Sequence, residues 1–202
     1  MGTIKKEEPV PDRDVKTIND VINFQYAKII ACSSFDLPNG KEAKKNCYGF
    51  VKNKFKDLQS GKIKWSDILR EDWQFAESDK ECAYCGSKTN LTHEHIVPRS
   101  FNENERCCEC DTIQGIHNQV WACGHCNSEK GTMGLYSFYK KKLNGETKFY
   151  DLIPALIEKK YLKTIFCCFE RCAKCLEQGD LDGDGQITVL DIDYALKAYG
   201  KL

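Results

Sequence analysis

The chain has 202 residues and a mass of 23.1 kDa, the size of one domain or of one small domain with appendages. Hydrophobic residues make up 41% and charged residues 30%. That excludes a wholly disordered chain, and no run of about 18 apolar residues exists for a transmembrane helix. Thirty basic residues balance thirty acidic ones, but unevenly: Leu176–Leu202 carries six acids against two bases, a net of −4, which leaves +4 on residues 1–175. A basic body with an acidic tail is a different object from a neutral protein.

In chain order, residues 1–13 are charged and Pro-containing, a loose tail with no apolar core of a secretory signal. An N-terminal helical region spans 14–75. Val15, Ile18, Val21, Ile22, Ile29 and Ile30 recur at helical spacing from Asp14 to about Cys32. Phe35–Gly40 reads as a turn. Lys41–Gln59 reads as a second helix, with Tyr48, Val51, Phe55 and Leu58 on one face, and Ser66 caps a short third one. The next segment, 76–134, alternates short strands and turns with metal-ligating residue types. A C-terminal helical region, 135–176, follows: Leu135, Phe138, Tyr139 and Leu143 mark one helix beside Lys140, Lys141 and Lys142, and a longer helix is expected from Leu152 to Leu176. The fold class is α+β, mainly helical, with strands confined to the central module.

Thirteen cysteines, an odd number, argue against a disulfide framework and for a reducing, cytoplasmic setting. Eight of them fall in four C-x-x-C pairs: Cys82/Cys85, Cys107/Cys110, Cys123/Cys126 and Cys172/Cys175. Short regular spacing of thiolates suits tetrahedral zinc. Cys82, Cys85, Cys123 and Cys126 are expected to hold one structural zinc. Cys107, Cys110, Cys172 and Cys175 form a second candidate site. Cys32, Cys47, Cys108, Cys167 and Cys168 read as core thiols.

The first and third pairs bracket Leu91-Thr-His-Glu-His-Ile-Val-Pro-Arg-Ser100 and Asn118, and Asn127 follows Cys126 directly, ahead of Lys130-Gly131. Over about fifty residues this closely resembles the HNH endonuclease family, of the ββα-metal fold, in an H-N-N variant. The resemblance implies a metal-dependent endonuclease that hydrolyses DNA phosphodiester bonds to a 3′-hydroxyl and a 5′-phosphate. His95 takes the position of the general base, and a histidine with a pKa of about 6.5 suits that task. Glu94 and Asn127 take the positions that ligate Mg2+ or Mn2+ through oxygen. Asn118 takes the place that holds the strand bearing His95 in register. Arg99, Lys130 and the Lys140–Lys142 run are candidate DNA contacts. His93 and His125 read as solvated or neighbouring side chains, and His117 as structural.

The acidic tail, 177–202, contains Asp180-Leu-Asp-Gly-Asp-Gly-Gln-Ile-Thr-Val-Leu-Asp191. Counting Asp180 as position 1, this is the EF-hand calcium-loop spacing. Asp180, Asp182, Asp184, the Gln186 carbonyl and Asp191 are the expected Ca2+ ligands, with Gly185 at the sharp turn. Position 12 is Asp191 rather than glutamate, as in dockerin-like loops, and an exiting helix is expected over Asp191–Tyr199. Two rival readings remain open: a non-catalytic, zinc-stabilised nucleic-acid-binding module, and a calcium-dependent interaction protein.

Overall fold

The computed structural model describes residues 14–35, 45–65, 80–103, 111–144, 149–170 and 173–198. The short helix expected at Ser66 therefore lies outside the described residues. The fold is mainly helical with one small two-stranded antiparallel sheet.

Helix α1, Ile18–Ser34, begins at a capping box: Thr17 Oγ1 accepts from the Asp20 backbone N–H, and Asp20 Oδ2 accepts from the Thr17 N–H. Ile18, Val21, Ile22, Phe24, Tyr26, Ala27 and Ala31 are all buried. An apolar set this broad requires neighbours on several sides, and α1 packs against most of the later helices. Helix α2, Lys45–Gln59, lays Val51, Phe55 and Leu58 against it, with Phe55 edge-on to Phe24 at 5.5 Å. Tyr48, expected on that buried stripe, is 49% exposed, with Lys52 above its ring. Cys47, one residue earlier, is buried and takes the first turn of that stripe in its place.

Strand β1, Leu91–His95, is followed by a single-turn helix α3, Ser100–Glu103. Strand β2, Gln119–Cys123, pairs with β1 in antiparallel register, Leu91 opposite Cys123 and His95 opposite Gln119. Helix α4, Gly124–Lys130, follows β2 without a loop and lies against both strands. Alternation sends Thr92, Glu94, Val120 and Ala122 to the α4 side and Leu91, His93, His95, Gln119 and Trp121 to the other.

Helix α5, Leu135–Lys142, starts after Gly134. The expected continuous helix from Leu152 is broken: Phe149–Leu152 is a 3-10 turn with Leu152 exposed, α6 runs Ala155–Phe169, and α7 runs Ala173–Glu177. Pro154, with no backbone N–H, leads a helix well but cannot continue one. Helix α8, Val189–Ala198, is the last among the described residues.

One cluster of buried side chains runs from Val15 to Leu196. Ile192, Ala195 and Leu196 of α8 belong to it, so the acidic tail is anchored in the core. Asp193 makes the anchor polar as well. Its Oδ2 accepts from the Ser137 N–H at 2.6 Å and its Oδ1 from Tyr161 Oη at 2.5 Å. A carboxylate at the first turn of α5 suits the helix dipole. A Cβ on Gly134 would lie 2.3 Å from the Asp193 carboxyl carbon, so glycine is required there.

Candidate functional site

The hairpin places four sulfurs together. Cys82 and Cys85 lie in a turn closed by Gly86 N–H donating to Cys82 O at 2.8 Å, and this turn docks on β2 through Ala83 N–H to Trp121 O at 2.8 Å. Cys123 ends β2 and Cys126 lies in the first turn of α4. All four Sγ atoms lie within 4.8 Å of one another, and Cys85 and Cys123 are 3.8 Å apart. Sulfurs of a tetrahedral site with metal–sulfur bonds of about 2.3 Å are about 3.8 Å apart, so the group suits one metal ion. The Cys126 N–H at the start of α4 donates to Cys123 Sγ and, with the neighbouring thiols, pulls the Cys123 thiol down to about 7. Burial pushes Cys126 up to about 12. Lys142 Nζ, 3.3 Å from both Cys126 Sγ and Tyr84 O, supplies positive charge to the cluster. Lys142 thus faces the sulfurs, a contact the expectation from sequence did not include.

The Glu94–His95 pair divides between the two faces of β1. Glu94 is 6% exposed on the α4 side. Lys130, fully buried at the end of α4, brings Nζ to 2.8 Å from Glu94 Oε1 and donates to His95 O at 3.2 Å. Lys130 is therefore no phosphate contact; its helix turns it inward onto an acid 36 residues earlier. Lys130 is the charged partner of the buried Glu94 Oε1. Burial pushes the Glu94 carboxyl above its ordinary range, and the Lys130 charge opposes that rise.

One turn earlier on α4, Asn127 Nδ2 donates to Thr92 Oγ1 at 2.9 Å. This uses the amide nitrogen and leaves the carbonyl oxygen uncommitted by that bond. A carboxylate oxygen and an amide oxygen on facing layers are hard donors of the kind Mg2+ and Mn2+ accept, and the Lys130 ammonium competes for the first. His95 is half-buried on the opposite face. Burial, then the charges of Arg99 and Lys130 and the neighbouring His93, lower its pKa below the usual imidazole value. It is neutral near pH 7, the form that accepts a proton.

Asn118 fixes this end of the hairpin. It is fully buried, and its Oδ1 accepts from Val97 N–H at 2.8 Å while Nδ2 donates to Val97 O at 2.7 Å and to Ile113 O at 3.0 Å. One carboxamide replaces a missing strand partner just past His95. Arg99 and Lys141 are exposed and Lys140 is half-buried.

A second group of possible metal ligands is the exposed trio Asp180, Asp182 and Asp184, whose carboxylate oxygens lie within 4.8 Å of one another. Gly185, at φ +87, makes the sharp turn, and Gln186 N–H donates to Asp184 Oδ1 at 2.8 Å. Asp191 does not join the trio. It is fully buried, and its two oxygens accept from Leu181 N–H at 2.7 Å and Thr188 N–H at 2.6 Å. Its carboxylate caps the loop and the exiting helix.

The second four-cysteine site lies outside the described residues apart from Cys175, which is buried. Cys168, expected as a thiol, is disulfide-bonded. Sequence reasoning missed Lys130 and Lys142 in their inward roles, and it missed Thr92 and Asp193. The period-two alternation with Glu94 was the available signal for Thr92. No helix is long and apolar enough to cross a membrane among the described residues. Comparison with family models, with curated proteins and with solved structures finds no match to this chain.

Proposed function

We propose that the chain is a metal-dependent endonuclease that hydrolyses DNA phosphodiester bonds, with His95 as general base. The supporting observation is the Asn118 clamp on Val97, which holds His95 at the end of a two-stranded hairpin backed by the helix that carries Asn127. Neutral His95, half-open on the outer face, takes the proton of an attacking water. Arg99, four residues on and exposed, attracts the phosphate. Glu94 and Asn127, on the α4 side, would hold Mg2+ or Mn2+, and a phosphate at the end of β1, reached from both faces, would receive its positive charge. Cys82, Cys85, Cys123 and Cys126 hold a structural zinc, the ion that four thiolates without an open position favour. Asp180, Asp182 and Asp184 take Ca2+, with Asp191 in a supporting role.

Incubation of supercoiled plasmid with a divalent-metal series tests this. His95→Ala should lower cleavage by roughly 10²–10⁴-fold with an unchanged melting temperature, and near-wild-type cleavage would overturn the assignment. The Glu94–Lys130 ion pair favours a second reading, a zinc-stabilised module that binds nucleic acid without cutting it. Absence of nicking with every metal, alongside retained DNA binding, would select that reading.

A further inference from the structure

The outer face of the hairpin carries an aromatic that the catalytic reading leaves unused. Trp121 sits directly opposite His93 in the β1–β2 register, and their rings meet at 4.1 Å with planes tilted by 40°. The knuckle that docks on Trp121 O carries Lys80 to the same indole, with Nζ 4.8 Å from the ring centroid. Lys80 and His93 are exposed and Trp121 is half-exposed. Trp65 behaves differently: it stacks on Tyr26 at 3.9 Å and packs against the core. Trp121 is not among the side chains that build or line that core. Its ring is held by a cation and an imidazole at the surface, the amphipathic placement that suits an indole at a binding face.

The positions of the two strands open on the outer face are His93, His95, Gln119 and Trp121, none of them a carboxylate, while Glu94 turns to the far side. Cations flank the row, Lys80 at Trp121 and Arg99 near His95. His93 and His95 are two strand positions apart, about 6.7 Å, a distance on the scale of one nucleotide of an extended strand. Aromatic rings beside a basic track bind single strands by stacking on bases. A closed duplex hides base faces within its own stack, so only an unpaired base can meet this ring.

We propose that Lys80, Trp121 and His93 form a stacking site for an unpaired base one nucleotide from the bond addressed by His95, so that the substrate is single-stranded or locally melted DNA. This rests on the nucleic-acid reading above and names its substrate class. The base lies on the exposed imidazole–indole pair, and Lys80 meets the adjoining phosphate.

The test uses the full chain without added Mg2+ or Mn2+, so that nothing is cut. Fluorescence anisotropy is measured with a labelled 20-nucleotide oligo(dT) and with a 20-base-pair duplex. Trp121→Ala should weaken single-strand binding by roughly 5–100-fold and duplex binding by less than about twofold, while Trp121→Phe retains most of the affinity. Chain labelled with 5-fluorotryptophan adds a signal independent of folding losses. The 19F resonance absent from Trp121→Phe should shift on addition of oligo(dT), while that of Trp65 stays in place. Equal losses for both DNA forms, an unmoved Trp121 resonance, or no binding of the oligonucleotide would each overturn the proposal. Trp121-dependent binding with no cleavage in any metal would remove the nuclease reading and leave this site standing. Cleavage of single strands unaltered by Trp121→Ala would do the reverse.

Discussion

Lys130 Nζ lies 2.8 Å from Glu94 Oε1 and donates to the backbone oxygen of His95, so a single buried ammonium joins both members of the Glu94–His95 pair. Burial lowers the Lys130 pKa, and Glu94 resists that shift. Each charge is tolerable because the other is present.

Lys130→Met should therefore leave Glu94 buried and unpaired, at a cost of about 3–5 kcal/mol. A divalent cation that binds Glu94 would replace the missing charge. Thermal melts should show Mn2+ raising the melting temperature of Lys130→Met more than that of the parent chain. Equal shifts in the two would show that Glu94 is not where the ion binds.

The four sulfurs carry the second prediction. The purified chain should contain zinc, and Cys82→Ser should remove one equivalent by elemental analysis while unfolding the hairpin, since a structural zinc site is a large part of the stability of so small an element. Zinc content unchanged by that substitution would refute the cluster at Cys82, Cys85, Cys123 and Cys126.

The pH dependence of stability has a source far from the hairpin. Glu158 is buried and accepts from Tyr136 Oη at 2.8 Å. Burial raises its carboxyl to about 7, with Tyr136 and Lys28 opposing and Asp151 adding to the rise. A carboxyl whose folded pKa exceeds its unfolded one favours the fold while protonated. Its contribution is complete below about 4.5 and is lost as pH rises through about 7. Glu158→Gln keeps the acceptor and removes the titration. Relative to the parent, its melting temperature should improve between pH 5 and pH 8, and parallel curves would exclude Glu158 as the source.

Calcium should act on stability. An ion at 100 times its Kd stabilises the folded form by about 2.7 kcal/mol, and Asp180→Ala with Asp184→Ala should abolish that shift. A Ca2+-dependent rise in melting temperature of the same size in the double variant would place the ion elsewhere.

The cysteine spacing, the Asn118 clamp position and the α1 stripe were legible because each depends on local order or on a motif of fixed spacing. Lys130 was not. In sequence it is a lysine before a glycine, with every appearance of a surface cation, and only the packing of α4 on β1 brings it to Glu94. Lys142 misled in the same way, since a run of three lysines reads as one charged face. The helix turns the third toward Cys126 and leaves Lys141 exposed. The helix expected from Leu152 was overextended because Leu152 fits an apolar period that Pro154 interrupts.

Asp193 makes the acidic segment a clasp. From α8 it caps the first turn of α5 through Ser137, while the last turn of α5 delivers Lys142 to Cys126. At the opposite end of the chain, Ile18 N–H donates to Gln178 O at 2.6 Å, so α1 is tied into the same segment. An opening of α8 must release the start of α5 and bare the buried face of α1 together, so amides in these three places should share one exchange-competent opening. A truncation before Val189 removes buried Ile192, Ala195 and Leu196 along with the α5 cap. What resembles a detachable tag in the sequence is the piece that closes the molecule.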